Sequence, residues 1–186
     1  MNALINAISL LFFLSEFTLF LLKRSKSAEV KIRQGRSSMA ILWSVVALSI
    51  TAGIFTAYKF PRADQLPSLE YIGIAIVIFG FIIRYTAIIQ LKKAFTVDVA
   101  IAKNHQLKMD GLYKKLRHPS YLGLLLEFLG FSMLFNSWVS IFVINIPILI
   151  IMAYRMHVEE KFLLEAFGDD YRNYMRKTKR ILPGIY

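Results

Sequence analysis

Three long, predominantly apolar stretches, Ala3 to Leu22, Met39 to Tyr58 and Leu69 to Leu91, constrain this chain more than anything else in it. Each reaches about 20 residues, and a helix of that length crosses about 30 Å of hydrocarbon. Inside a bilayer every backbone N–H and C=O must find its partner within the segment, so such runs are helices. Pro119 to Phe135 and Trp138 to Tyr154 are shorter apolar runs separated by Asn136-Ser137 alone. So short a connection makes them an antiparallel helical hairpin. The fold expected is an all-α integral membrane protein of five transmembrane helices, about 3–22, 39–58, 69–91, 119–135 and 138–154, in a single domain over 1–186. The first run is read as a retained helix and not a signal peptide. It is too long for an h-region, follows no basic residue and precedes no clear cleavage site.

Charge orients the helices. The net charge is +11, and the basic residues come in blocks. Six lie between Lys23 and Ser38, seven between Lys92 and His118, and seven from Arg155 onward, against Lys59 and Arg62 on the other side. The positive-inside rule then puts the N-terminus outside and the C-terminus in the cytoplasm. In a prokaryote this means the cell (inner) membrane, with the functional loops facing the cytoplasm. The same blocks, parted by apolar runs, argue against nucleic acid as a partner; the lipid bilayer is the expected one. The absence of cysteine excludes disulfides, thiolate metal sites and cysteine nucleophiles.

The loop 92–118 is long for a compact protein, which marks it as functional. Thr96 to Ile101 alternates weakly and suggests a short strand. The loop ends on His105-Gln-Leu-Lys-Met-Asp-Gly111-Leu-Tyr113-Lys-Lys-Leu-Arg117-His118-Pro119-Ser-Tyr121-Leu-Gly123. Proline suits the first turn of a helix, and the N–H groups beside it seat an anionic group. Past Tyr154 the helical pattern continues to Phe167. Gly168 reads as its cap, and Asp169 or Asp170 as the start of a short interfacial helix whose cations meet lipid headgroups. Tyr171 and Tyr174 are left unassigned. A metal site from His105, His118, His157 and a glutamate matches no ligand spacing, so no metal is expected. No G-x-G-x-x-G follows a strand, which excludes a soluble dinucleotide-binding fold.

The pattern H-x-L-x-x-x-G-x-Y-x-x-x-R-H-P-S-Y-x-G resembles the isoprenylcysteine carboxyl methyltransferase family. A second match follows in Arg155-Met-His-Val-Glu159-Glu160, Phe167-Gly-Asp-Asp-Tyr171, Tyr174 and Arg180-Ile-Leu-Pro183. The resemblance implies a membrane methyltransferase that uses S-adenosyl-L-methionine and esterifies the carboxylate of a lipophilic acceptor, such as an isoprenylated cysteine. It implies cofactor contacts at His105, Gln106, Leu107, Lys108, Tyr113, His118, Pro119, Ser120, Tyr121 and Glu159, with Arg155 holding the acceptor carboxylate. These residue types suit the cofactor. Tyrosine faces attract a sulfonium or stack on adenine, a helix N-terminus takes a carboxylate, and Glu159 takes an ammonium. A carboxylate acceptor is already ionised at neutral pH and needs no general base, whereas an amine or thiol does. N- or S-methylation of a phospholipid amine or hydrophobic thiol is the nearest alternative. A sterol-reductase-like enzyme and a non-catalytic scaffold are more distant ones. Arg155 and Glu159, four residues apart on one helix face, also admit the plainer reading of an i,i+4 ion pair.

Three charges, Glu16, Arg84 and Glu127, fall within the runs at one common depth, about 9–12 Å from the cytoplasmic end by helical rise. Ionisable groups there demand partners. Gly73, Gly80 and Arg84 share one helix face, and Gly123, Glu127 and Gly130 another, so the two helices approach closely. Arg84 is expected to pair with Glu127, with Glu16 as the alternative partner. The other reading is that a carboxyl is protonated and lines the bundle unpaired.

Overall fold

The computed structural model describes residues 3–22, 30–33, 36–60, 67–91, 100–102 and 107–182. Helices occupy every expected run: α1 Ala3–Leu22, α2 Arg36–Lys59, α3 Pro67–Leu91, α4 Pro119–Met133, α5 Trp138–Phe167 and α6 Asp169–Lys177. Among the described residues three helices are long and apolar enough to cross a membrane, over Ala40–Lys59, Leu69–Leu91 and Trp138–Phe167. In α1 the apolar stretch described is Leu10–Leu19, and α4, at 15 residues, reaches about 22 Å. Large apolar side chains such as Leu48, Ile78, Ile89, Phe142 and Ile150 face outward. Helices this apolar, with apolar surface turned outward, belong to an integral membrane protein.

The all-α expectation needs one addition. Strands β1 Val30–Arg33 and β2 Ala100–Ala102 pair antiparallel, with Arg33 opposite Ala100. This ribbon joins the segment after α1 to the segment after α3, and a parallel bridge joins Leu116 to Lys179. Backbone pairing thus ties together described residues of all three basic blocks. Thr96 to Val99 of the expected strand lie outside the described residues, as do residues 61–66.

The close approach of α3 and α4 rests on glycine. A Cβ at Gly80 would stand 2.7 Å from the Gly123 carbonyl oxygen, and one at Gly73 would stand 2.7 Å from that of Gly130. Any side chain there would push the helices apart. Elsewhere the bundle is tied by small polar groups, which act as glue where water is absent. Ser140 Oγ donates to the Gly53 carbonyl at 2.9 Å, joining α2 to α5, and Asn145 Nδ2 donates to Ser132 Oγ at 2.7 Å across the α4–α5 hairpin. α1 is held through side chains, with the Phe12 ring edge-on to Phe128 at 5.3 Å.

Glu16 and Arg84 meet at one level of the bundle with Glu127 one turn along the seam, and the pairing is the alternative one. Arg84 Nε and Nη2 donate to the two oxygens of Glu16 at 2.6 and 2.5 Å, and Nη1 donates to the Ser120 carbonyl at 3.2 Å. Among the described residues neither carboxylate oxygen of Glu127 finds a hydrogen-bond partner, although the residue is fully buried. The register of the glycine seam explains this. Gly123 lies against the Arg84 backbone and Glu127 against Gly80, one helical turn away. The guanidinium therefore points along α4 toward Ser120 and α1.

Candidate active site

The polar end of the bundle is built by three chain segments that meet. The last residues of α3 receive the loop: Leu112 N–H donates to Gln90 Oε1 at 2.9 Å, which holds the 3-10 turn Gly111–Lys114 against α3. Pro119 opens α4 as its composition predicts, with His118 as the capping residue. The third segment is the extension of α5. Its residues 138–154 are uncharged, whereas 155–167 carry Arg155, Glu159, Glu160, Lys161 and Glu165. Gly168, at φ +53°, ends it, and α6 folds back.

α6 is amphipathic, but its tyrosines are not surface groups. Tyr171 and Tyr174 are buried, while Arg172, Arg176 and Lys177 face outward. Tyr174 Oη donates to the Tyr113 carbonyl at 2.7 Å, and Thr178 Oγ1 donates to the Tyr174 carbonyl at 2.7 Å. Backbone bonds from Arg117 N–H to the Lys179 carbonyl (2.7 Å) and from His118 N–H to the Arg180 carbonyl (3.0 Å) fasten the tail to the start of α4.

Glu160 is the hub of this junction. Arg117 Nε donates to its Oε1 at 2.8 Å, Arg180 Nε donates to its Oε2 at 2.9 Å, and His118 Nε2 stands 3.3 Å from Oε1. Arg117 Nη1 also donates to the Met175 and Thr178 carbonyls. Burial alone would raise the Glu160 pKa, but the hydrogen bonds from His118, Arg180 and Arg117 outweigh it and hold the carboxyl at about 2. Glu160 is a fixed anion at any physiological pH.

Its neighbour Glu159, about 100° round the helix, faces the other way, into a cleft. Tyr121 Oη donates to Glu159 Oε2 at 2.8 Å and lies within hydrogen-bonding reach of the Arg155 guanidinium. His118 Nδ1 is 4.0 Å from the same Glu159 oxygen. Burial, with the Glu159 charge nearby, pushes the Tyr113 hydroxyl above the ordinary tyrosine range. The cleft is narrow, with a cavity volume of about 80 Å³, below the range usual for small-molecule sites.

Of the residues singled out from sequence, Tyr113, His118, Ser120, Tyr121, Arg155 and Glu159 line this one cleft. Pro119 is buried behind it at the helix start. Leu107 and Lys108 stand apart, with Lys108 Nζ 2.7 Å from Asp110 at the surface. His105 and Gln106 lie outside the described residues. Among the described residues no three His, Asp or Glu side chains cluster as a metal site, and His118 is buried while His157 is exposed. Two features went unseen in the sequence. One is the Glu160 hub; its signal was the pair of adjacent glutamates, which a helix must turn in different directions. The other, left open between a structural role and a place along the acceptor path, is that Glu16 and Arg84 also line the cleft.

The chain is similar in sequence and fold to known proteins. A family model described as the isoprenylcysteine carboxyl methyltransferase (ICMT) family matches residues 73–165. Protein-S-isoprenylcysteine O-methyltransferase of Schizosaccharomyces pombe is 34% identical over 108 residues, 57% of this chain and 46% of that protein. Protein-S-isoprenylcysteine O-methyltransferase A of Arabidopsis thaliana is 31% identical over 140 residues, 74% of this chain and 71% of that protein. A solved structure of the eukaryotic intramembrane Ras methyltransferase ICMT matches with a TM-score of 0.66 at 27% identity, covering 77% of this chain and 52% of that one. The chain thus spans about half the length of the fission-yeast relative and of the solved structure.

Proposed function

Since this chain belongs to the isoprenylcysteine carboxyl methyltransferase family, and with it to the carboxyl methyltransferases, we propose that it is a single-domain membrane enzyme that methylates the carboxylate of a lipophilic acceptor, an isoprenylated cysteine being the model substrate. The observation that carries this reading is the convergence of Tyr113, His118, Tyr121, Arg155 and Glu159, from a loop and two helices, on one cleft at the polar end of an apolar bundle. The polar end faces the cytoplasm and α1 to α5 span the bilayer, with the N-terminus outside, as the basic blocks require.

The donor set fits S-adenosyl-L-methionine. Glu159 is a carboxylate turned into the cleft, suited to an ammonium. The first turn of α4 and His118 suit a carboxylate, and Tyr113 and Tyr121 offer aromatic faces to a sulfonium or an adenine. Bound there, the cofactor supplies an electrophilic methyl group. The chain's own work is alignment and exclusion of water. Arg155, 2% exposed, presents a planar fork that holds a carboxylate by two hydrogen bonds. Glu160, locked by Arg117 and Arg180, orients the helix from which Arg155 and Glu159 project. No group in the cleft need act as a base, because the acceptor carboxylate is already ionised.

Calorimetry on the detergent-purified protein tests the cofactor seat. S-adenosylhomocysteine is expected to bind, and Glu159→Ala and His118→Ala are each expected to weaken it about tenfold or more. Arg155→Lys, which keeps the charge and loses the fork, is expected to lower turnover and leave that affinity nearly unchanged. Binding of NADPH with no binding of either adenosyl compound overturns the reading.

A further inference from the structure

Glu16 stands where two spaces meet. It lines the polar cleft together with Arg84, Tyr121 and Arg155. It also lines an apolar groove between α1 and α2, whose walls are Leu10, Phe13, Leu14, Phe17 and Trp43. Glu16 and Trp43 are the residues these two spaces share. A lipophilic chain lying in the groove therefore ends at Glu16. What it meets there is a carboxylate held by an arginine fork through two parallel hydrogen bonds, 2.6 and 2.5 Å long. The same arginine is braced by the carbonyl of Ser120, in the first turn of α4. Both partners are nearly fully buried.

We propose that Glu16 is the gate of the acceptor entrance and a stand-in for the acceptor: the acceptor's carboxylate enters along the α1–α2 groove and replaces Glu16 on Arg84. This rests on the carboxyl-methylation reading and adds to it an entry site, with Arg155 holding the acceptor within the cleft. The exchange of one carboxylate for another leaves Arg84 paired throughout. A neutral lipid that displaced Glu16 would leave a buried guanidinium without its anion, a heavy penalty. The gate therefore selects for a carboxylate by punishing its absence, which is how unpaired charge confers specificity. Among the described residues α1 is held by ring contacts such as Phe12 on Phe128, by a hydrogen bond between Ser15 and Tyr85 and by this ion pair, and apolar space flanks it on the α2 and α3 sides. Glu127 does not take the role of Glu16, because it sits one turn farther along the seam and makes no hydrogen bond to Arg84.

The test compares N-acetyl-S-farnesylcysteine with its methyl ester, binding to wild type and to Glu16→Gln by calorimetry in the presence of S-adenosylhomocysteine. Removing the competing carboxylate frees Arg84, so the acid is expected to bind about tenfold more tightly to the variant. Ester affinity should change by less than about twofold. Affinity for S-adenosylhomocysteine reports that the variant is folded and should match wild type. Should Glu16→Gln not fold, Glu16→Asp, which keeps the charge on a shorter arm, is expected to give a smaller gain for the acid with the ester again unmoved. Equal changes for acid and ester, or an unchanged or weakened acid, overturn the proposal and leave Glu16 as a structural brace. If wild type methylates an amine lipid instead, the carboxyl-methylation reading fails, while the acid–ester difference still decides the role of Glu16.

Discussion

Glu160 and Glu16 are both buried carboxylates held by arginine, yet their settings differ in every respect that matters for exchange. Glu160 receives Arg117, Arg180 and His118 from two chain segments and lies behind the cleft wall. Each of its oxygens is engaged, and Arg117 is further tied to two backbone carbonyls. Glu16 is held by Arg84 and lines both an apolar groove and the cleft. The first arrangement is closed and holds the C-terminal segment in place. The second is open, and a ligand of matching charge can take it over. Buried ion pairs add little net stability over well-packed apolar groups but cost much when one partner is removed. The same chemistry therefore serves as a fastening in one place and as a discriminator in the other.

Breaking the closed cluster is expected to have the largest effect. Glu160→Ala strands Arg117 and Arg180 without their acceptor and should destabilise the protein by about 3–5 kcal/mol, read as a large fall in the thermal midpoint in detergent together with loss of S-adenosylhomocysteine binding. Acid should expose the same cluster next. The folded pKa of Glu160, about 2, lies below the unfolded value of about 4.3, so the unfolded state binds the extra proton. Its contribution is complete above the unfolded value and is lost as pH falls toward 2. A midpoint measured against pH should show that loss in wild type and lack it in Glu160→Gln. A smaller effect sharpens the open pair. A double-mutant cycle on Glu16→Leu and Arg84→Met should show coupling of about 0.5–3 kcal/mol. The cycle on Arg84→Met and Glu127→Leu should come close to additive, and strong coupling there would restore the partner first expected. Smallest of all is Glu127→Leu alone, which removes a buried carboxyl that has no hydrogen bond and should leave the midpoint unchanged or slightly raised.

Helix positions were legible because apolar runs of bilayer length admit little else. The glycine seam was legible because Gly73, Gly80 and Arg84 recur at helical spacing, as do Gly123, Glu127 and Gly130. The convergence of His118, Tyr121 and Glu159 was signalled by the family resemblance, not by periodicity. The partner of Arg84 was not legible. Depth arithmetic is uncertain by about one turn, 5.4 Å, and one turn separates Arg84 from Glu127 along the seam. The burial of Tyr171 and Tyr174 was hidden for a different reason. An amphipathic helix rich in arginine and tyrosine looks the same whether its aromatic face meets lipid or the Tyr113 carbonyl, and tertiary contacts alone decide.

The central claim is that a carboxylate receives the methyl group, and the chemistry of the product tests it directly. Wild-type protein incubated with methyl-labelled S-adenosyl-L-methionine and N-acetyl-S-farnesylcysteine should yield a lipophilic labelled product. Mild alkali should release that label as volatile methanol, since a methyl ester is cleaved by base whereas N- and S-methyl groups are not. Label that stays in the lipid after alkali, or no transfer to the acid at all, would contradict the account.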